Sequence, residues 1–146
     1  MPLPLLPTSL VGSYAQPEWL IDRKKLAGRF APALAPVAAR ALLHGHCHQK
    51  AFGAMSAVQE ALALVPDLKV TPIESSCCGM AGSFGYEAEH YATSVAMAEL
   101  ALLPAVRKAA ADAIIVADGT SCRHQIHDGT GREAIHVARV LAMALQ

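Results

Sequence analysis

The sequence predicts an α/β domain, a small parallel sheet with βα crossovers in Rossmann-like layers, preceded by an irregular proline-rich N-terminal arm. Three observations carry this expectation. From residue 40 onward, short apolar runs alternate with longer stretches of helical periodicity, the pattern of βα units. The run Ala-Ile-Ile-Val-Ala at 113–117 is rich in β-branched residues, as a buried strand requires. Before residue 40 lie Pro2, Pro4, Pro7, Pro17, Pro32 and Pro36, six of the chain's nine prolines, and they interrupt every periodic stretch. The expected division is therefore an arm over residues 1–39 and an α/β domain over 40–146.

Within the arm, a short helix is expected over residues 17–28, starting at a favourable N1 proline, with a further helical turn before Arg40. Residues 41–44 (Ala-Leu-Leu-His) read as a buried strand ended by Gly45. Residues 51–65 have helical spacing, with Phe52, Met55, Val58, Leu62 and Val65 on one stripe, and Pro66-Asp67 stops them. Residues 68–73 read as a second strand, followed by a Ser/Cys/Gly loop to Gly85. A long helix is expected over 87–103, with Glu87 and Glu89 in its first turn, where the helix dipole favours negative charge. Pro104 restarts a short helix to Ala111, residues 113–117 form the third strand, Gly129 to Gly131 form a turn, and an amphipathic helix over 132–145 closes the chain. Strands joined through helices in this way pair in parallel, with right-handed crossovers.

The composition narrows the function classes. The chain has 146 residues, 53% of them hydrophobic and 16% charged, with a formal net charge of zero. This length buries a core without disulfide staples. The charge balance gives no electrostatic case for nucleic acid or an anionic membrane. So weakly charged a surface favours a partner protein, and a homo-oligomer is compatible with it. No run reaches about 18 apolar residues, so no transmembrane helix is expected. The start lacks the basic region of a signal peptide, and a cytoplasmic location is expected. There, cysteines serve more often as ligands or redox groups than as structural disulfides.

Placed on the predicted elements, the four cysteines acquire a position. Cys47 follows the first strand, Cys77 and Cys78 the second, and Cys122 the third. In a parallel sheet these strand ends share one edge, where open α/β folds place their ligand sites. Four thiolates suit zinc or the iron of a cluster. Neighbouring residues on a flat strand point to opposite sides, so Cys77-Cys78 needs a bend, which the glycine-rich loop from Gly79 to Gly85 can supply. A multi-iron cluster accommodates adjacent ligands more easily than one zinc ion, which ranks a cluster first. Four inert buried thiols, or a strained vicinal disulfide, are the plainer readings.

His44, His46 and His48 alternate around Cys47, and they share a face only if the strand continues that far. One of them can be a ligand or a donor to sulfur, and otherwise they are polar loop residues. Arg123 and His124 follow Cys122 and can set positive charge beside an anionic cluster, or simply be solvated. His90 and His136 sit on helices and read as surface residues. Gly79, Gly82 and Gly85 lack the dinucleotide-binding spacing and no phosphate-binding lysine follows, so nucleotide binding is disfavoured. Ser83 lacks a nucleophile elbow.

Three segments, His44-Gly45-His46-Cys47-His48-Gln49-Lys50, Cys77-Cys78-Gly79-Met80-Ala81-Gly82-Ser83-Phe84-Gly85 and Gly119-Thr120-Ser121-Cys122-Arg123-His124-Gln125, resemble the cysteine-rich CCG domain. That domain occurs in heterodisulfide reductase, in the iron–sulfur subunit of glycolate oxidase, and at the C-terminus of FAD-linked 2-hydroxyacid dehydrogenases. The resemblance spans roughly residues 40–146 and is closest to the FAD-linked type. It implies that Cys47, Cys77, Cys78 and Cys122 ligate an iron–sulfur cluster beside Gly79, with His46, His48, Arg123, His124 and Gln125 around it. The family's last cysteine is replaced here by Gln125. A 4Fe–4S cluster, a non-cubane cluster with a non-thiolate ligand, and zinc therefore all stay open. The implied function is electron transport for a flavin-linked 2-hydroxyacid oxidoreductase, with a flavoprotein subunit or domain as partner. The alternatives are a zinc-holding, non-redox binding module and a metal-free remnant of the domain. Since no flavin domain is recognisable in these residues, the chain is expected to be an oxidoreductase component and not a complete enzyme. Around residues 5–30 the arm resembles the N-terminus of cobalamin-independent methionine synthase-like proteins, a stretch too short to imply methyltransferase activity.

Overall fold

The computed structural model describes residues 34–145, which fall within a unit spanning Ala33–Gln146. The helix expected over residues 17–28 and the second resemblance of the arm lie outside the described residues. The helical turn expected before Arg40 does not form. The N–H groups of Ala35 and Val37 instead donate to the carbonyls of Ala144 and Pro66, at 2.7 and 2.9 Å, and Leu34 makes an antiparallel bridge with Leu145.

Four strands form one sheet: β1 (Arg40–His44), β2 (Lys69–Pro72), β3 (Ile114–Ala117) and β4 (Ala134–Ile135). Their order is β2-β1-β3-β4 and every pairing is parallel. The expected α/β class and the first three strands are observed. The short β4 is an addition, and it shortens the closing helix to Val137–Ala144.

The expected helix over 51–65 is two helices. The first, α1 (Cys47–Ala51), starts earlier because His46 caps it, and the chain breaks at Gly53, whose φ is +65°. The second, α2 (Met55–Leu62), carries most of the expected stripe: Leu62 is buried, Met55 and Val58 pack beside it, but Phe52 is 85% exposed. The expected helix over 87–103 is also divided. Two 3₁₀ turns, Phe84–Tyr86 and Ala88–His90, lead into α3 (Tyr91–Glu99). The next helix, α4 (Leu102–Lys108), restarts before Pro104. Ala101 is its N-cap and the first full helical bond runs from Ala105 N to Ala101 O at 3.1 Å, so Pro104 occupies a first-turn site where no N–H is needed.

The largest difference is α5 (Thr120–Thr130), which the sequence pattern does not predict. Its only long aliphatic residue is Ile126, and it is recognisable mainly by the buried trio Cys122, Gln125 and Ile126, spaced three and four apart. Gly131 ends it in the left-handed conformation at φ +70°. The last helix is α6 (Val137–Ala144), which His136 caps through its side chain.

The order β2-β1-β3 reverses direction at β1, so successive crossovers fall on opposite faces. Helices α2 and α6 pack together on one face, and α3, α4 and α5 on the other. The pleat distributes the core accordingly. Ala41, Leu43 and Val116 meet Leu62 and Val140 on the α2/α6 side. Ile115 and Ala117 face Leu102, Val106, Cys122 and Ile126 on the other. Burial of each large aliphatic side chain contributes about 1.5–3 kcal/mol. Between β1 and β3 lies the switch point, the position at which such sheets open a crevice at their carboxyl edge.

Candidate metal centre

All four cysteines emerge at that edge. Cys47 is the first residue of α1, just beyond β1, and Cys122 stands in the first turn of α5, just beyond β3. Cys77 and Cys78 lie on the irregular loop after β2. The sequence places Cys122 in a loop, and its actual position in a helical first turn sets its sulfur near the positive end of the helix dipole. Cys47 and Cys77 are partly exposed, whereas Cys78 and Cys122 are buried, and no disulfide joins any of them.

The buried pair is in direct contact. The Cys122 thiol donates to the sulfur of Cys78 at 3.4 Å. This bond is the main reason that the Cys78 thiol is held down to about 4, against the opposing effect of burial, with His44 and the Met80 backbone adding to it. Cys122 is driven the other way, first because it holds the shared proton, then by burial and by the neighbouring sulfurs. The pair thus shares one proton, with Cys78 the sulfur that ionises first.

A side-chain nitrogen beside this pair belongs to His44, the final residue of β1, which is wholly buried. It pairs in register with Ala117 and lies two residues beyond Leu42, so the pleat turns it toward the α3–α5 side, where Cys78 and Cys122 sit. Its Nδ1 lies 2.9 Å from Ser75 Oγ, and its Nε2 has no hydrogen-bond partner. A ligand nitrogen of His44 and the sulfurs of Cys78 and Cys122 all lie within 4.8 Å of one another. Nothing in the sequence alone singles out His44 from its neighbours. Its signal is strand parity, which becomes usable only once β1 is known to end there.

The other two thiols form the outer half. Burial raises the Cys47 thiol, a hydrogen bond with Cys77 and the charges of Cys77 and Cys78 raise it further, and the Lys50 ammonium opposes them. Cys77 Sγ accepts the Gly79 N–H at 3.3 Å. Lys50 also binds the carbonyls of Ser75 and Ser76, the latter at 2.8 Å, and so holds the chain just ahead of the cysteine pair.

The turn that follows the cysteine pair is built from positive φ angles, +90° at Gly79, +41° at Ala81 and +72° at Gly82. Gly79 also approaches α3 closely: a Cβ there would lie 2.1 Å from the carbonyl oxygen of Ser94. Gln125 secures the same spot, its Nε2 donating to Ser94 O at 3.1 Å and Ser94 Oγ at 3.2 Å.

The remaining sequence candidates are placed as follows. His46 is the N-cap of α1: its Nδ1 accepts the His48 N–H at 3.3 Å, while its own N–H donates to Gln49 Oε1 at 2.9 Å. The rings of His46 and His48 meet edge to face, 5.1 Å apart, and their alternation with His44 defines no common strand face because β1 ends at His44. Arg123 donates to the carbonyls of Ala117 and Asp118, at 3.0 and 2.7 Å, and to Thr120 Oγ1 at 3.1 Å. His124 Nδ1 lies 2.7 Å from the Tyr86 hydroxyl. A cleft of about 200 Å³ opens at the switch point between His46, Gln49, Asp118 and Gly119. Gly119 permits the close packing there, since a Cβ on it would meet His46 Cδ2 at 2.4 Å and Cys122 Sγ at 2.8 Å. No helix among the described residues is long and apolar enough to cross a membrane.

Comparison with known proteins finds relatives among dehydrogenases. The chain is 33% identical over 123 residues to a subunit of the anaerobic glycerol-3-phosphate dehydrogenase of Escherichia coli strain K12, a match that covers 84% of this chain and 30% of that one. It is 31% identical over 131 residues to D-2-hydroxyglutarate dehydrogenase of Pseudomonas putida, covering 88% of this chain and 12% of the relative. The chain thus spans less than a third of the curated relatives it matches. No family model and no solved structure matches it.

Proposed function

We propose that residues 40–146 form a cysteine-rich CCG domain, and that Cys47, Cys77, Cys78 and Cys122 bind an iron–sulfur cluster serving electron transfer in a flavin-linked 2-hydroxyacid oxidoreductase. The observation that carries this reading is the convergence of four thiols from three separate strand ends on one sheet edge, two of them buried 3.4 Å apart. The donor set fits such a group: soft sulfurs, one of them readily ionised, beside a buried imidazole. The names of the relatives support a dehydrogenase context. Residues 1–39 are proposed to be an arm whose last residues, from Leu34, pack against this domain.

A cluster held there would supply one-electron chemistry between a partner flavoprotein and a further acceptor. The chain's own residues bind, orient and shield it. Gly79 and Gln125 hold the cysteine loop against α3, His46 and Arg123 fix the starts of α1 and α5, and the open side at Cys47, Cys77 and His48 faces the partner. His124, beside Tyr86, belongs to the same rim.

A second reading is favoured by one specific observation. The spacing of His44, Cys78 and Cys122 also suits a single zinc ion, with a fourth ligand from the outer pair. Iron, zinc and acid-labile sulfide measured on anaerobically purified protein decide between them. Iron with sulfide, and a visible charge-transfer band that a Cys78→Ser variant lacks, supports the cluster. Zinc without sulfide supports the alternative. Folded protein with four titratable thiols and no metal uptake overturns both.

A further inference from the structure

We propose that His44 is itself a ligand of this metal centre, binding through Nε2, so that the site is a mixed sulfur–nitrogen site. The inference rests on the metal-centre reading and specifies its ligand set. Its first ground is burial. His44 is fully buried, and apart from the Cys78 sulfur beside the ring no protein group satisfies its Nε2, so the atom is aimed at the sulfur cluster and at nothing else. Its second ground is aim. The ring ends a strand between the two helix layers and stands within ligand spacing of Cys78 and Cys122.

The third ground is the other ring nitrogen. Metal-bound imidazoles nearly always donate their second N–H to a fixed oxygen, which sets the tautomer and orients the ring. Ser75 Oγ stands 2.9 Å from Nδ1 in that role, and the Lys50 ammonium binds the Ser75 carbonyl and so fixes the residue that carries it. With Nδ1–H donated to Ser75, Nε2 presents a lone pair to the metal. Gln125, a second polar side chain buried beside the cysteine loop, is tied to Ser94 through its amide nitrogen and has only its amide oxygen to offer, a harder donor than imidazole and less suited to a thiolate-rich centre. The imidazole nitrogen is thus the non-thiolate donor the fold brings to the inner half of the centre.

The competing arrangement is purely structural, with Ser75 donating to Nδ1 and Nε2–H resting on the Cys78 thiolate. Pulsed electron paramagnetic resonance separates the two. Protein labelled with ¹⁵N only at histidine is reconstituted anaerobically with iron and sulfide and reduced with dithionite. In parallel, metal-free protein is loaded with Co(II) alone. Directly bound nitrogen gives a strong hyperfine coupling that changes with the isotope. The expected result is that coupling in the wild type and its loss in His44→Cys, which keeps a ligand at the position and so retains the metal. His44→Ala should weaken Co(II) binding by about tenfold or more.

A wild-type centre that forms but shows no isotope-sensitive coupling overturns the His44 assignment and leaves the metal-centre reading intact. So does a coupling that persists in His44→Cys. Wild-type protein that takes up neither cluster nor Co(II) overturns both. If His44→Cys fails to fold, labelled His46→Gln and His48→Gln variants decide: a coupling retained in both supports the assignment, and its absence from wild type, or its loss from either variant while the centre still forms, refutes it.

Discussion

Gly79→Ala and Gly82→Ala should differ sharply in cost although both glycines lie in one loop with positive φ. At Gly82 the φ is +72° and an added Cβ meets nothing within 4 Å. Only the left-handed backbone is then penalised, by about 1–2 kcal/mol, offset in part by the reduced freedom of the unfolded chain, for a net loss of about 1 kcal/mol. At Gly79 the φ is +90° and the Cβ would stand 2.1 Å from the backbone oxygen of Ser94. A backbone atom cannot rotate away, so the loop or α3 must shift, at an overpacking cost of about 1–3 kcal/mol. The shift also loosens the Gln125 bonds to Ser94, each worth about 1 kcal/mol. The total for Gly79→Ala is about 3–5 kcal/mol. Urea unfolding of metal-free protein under reducing conditions measures both variants. Iron retention after reconstitution reads the consequence for Cys77 and Cys78, and only Gly79→Ala should lose it. Equal midpoints for the two variants would refute the claim that close approach to α3, and not φ alone, requires glycine at position 79.

Three further outcomes follow from the same geometry. Arg132 spreads its guanidinium over the carbonyls of Val106, Ala109, Ala110, Ala111 and Ala113, at 2.7–3.4 Å. Arg132→Met should therefore cost about 2 kcal/mol in urea unfolding, and Arg132→Lys should recover little, because a single ammonium cannot span that fork. Asp118 accepts the Val137 N–H at 2.9 Å and the Gln49 amide at 2.6 Å, tying the starts of α6 and α1 together. Asp118→Ala should cost about 2 kcal/mol and speed alkylation of Cys47, followed by mass spectrometry, while Asp118→Asn should cost less. In metal-free protein Cys78 should be a thiolate at neutral pH. Because its folded value, about 4, lies below that of an unfolded thiol, its contribution is fully present above the ordinary thiol range and is lost as pH falls toward about 4. Cys78→Ser should flatten that part of the stability profile, and an unchanged slope counts against the thiolate assignment.

How far the molecule is legible in its sequence depends on how local the physics is. The strands β1, β2 and β3 are legible because each is a short apolar run bounded by breakers, and their parallel arrangement follows from the alternation with helices. The edge location of Cys47, Cys77, Cys78 and Cys122 comes from the same logic. What escapes is whatever tertiary contacts decide. The helix α5 is too polar to show a stripe, and it forms because Cys122, Gln125 and Ile126 are buried against its neighbours. Without that helix, Arg123 reads as a solvated loop residue, whereas the fold bonds it to the carbonyls that end β3. His44 is hard to single out because three alternating histidines look equivalent until the strand end is known. Once β1 stops at His44, the three separate: His44 is buried, His46 caps a helix, and His48 is exposed.

The adjacent cysteines explain why the site needs this topology. Cys47 opens α1 just beyond β1 and Cys122 stands in the first turn of α5 just beyond β3, so their sulfurs come from the two strands that flank the switch point. A single ligand from β2 could reach only one of them. The loop after β2 instead presents two neighbours with different partners: Cys78 goes inward to Cys122, and Cys77 outward to Cys47. The result is an inner, charged pair backed by His44 and an outer pair open to solvent. An inner half of this kind anchors a metal group, and an outer half of this kind leaves one edge of it within reach of a partner. Placing the two cysteines apart on a regular strand would lose one half or the other. The vicinal pair is therefore the feature by which three distant segments enclose one centre.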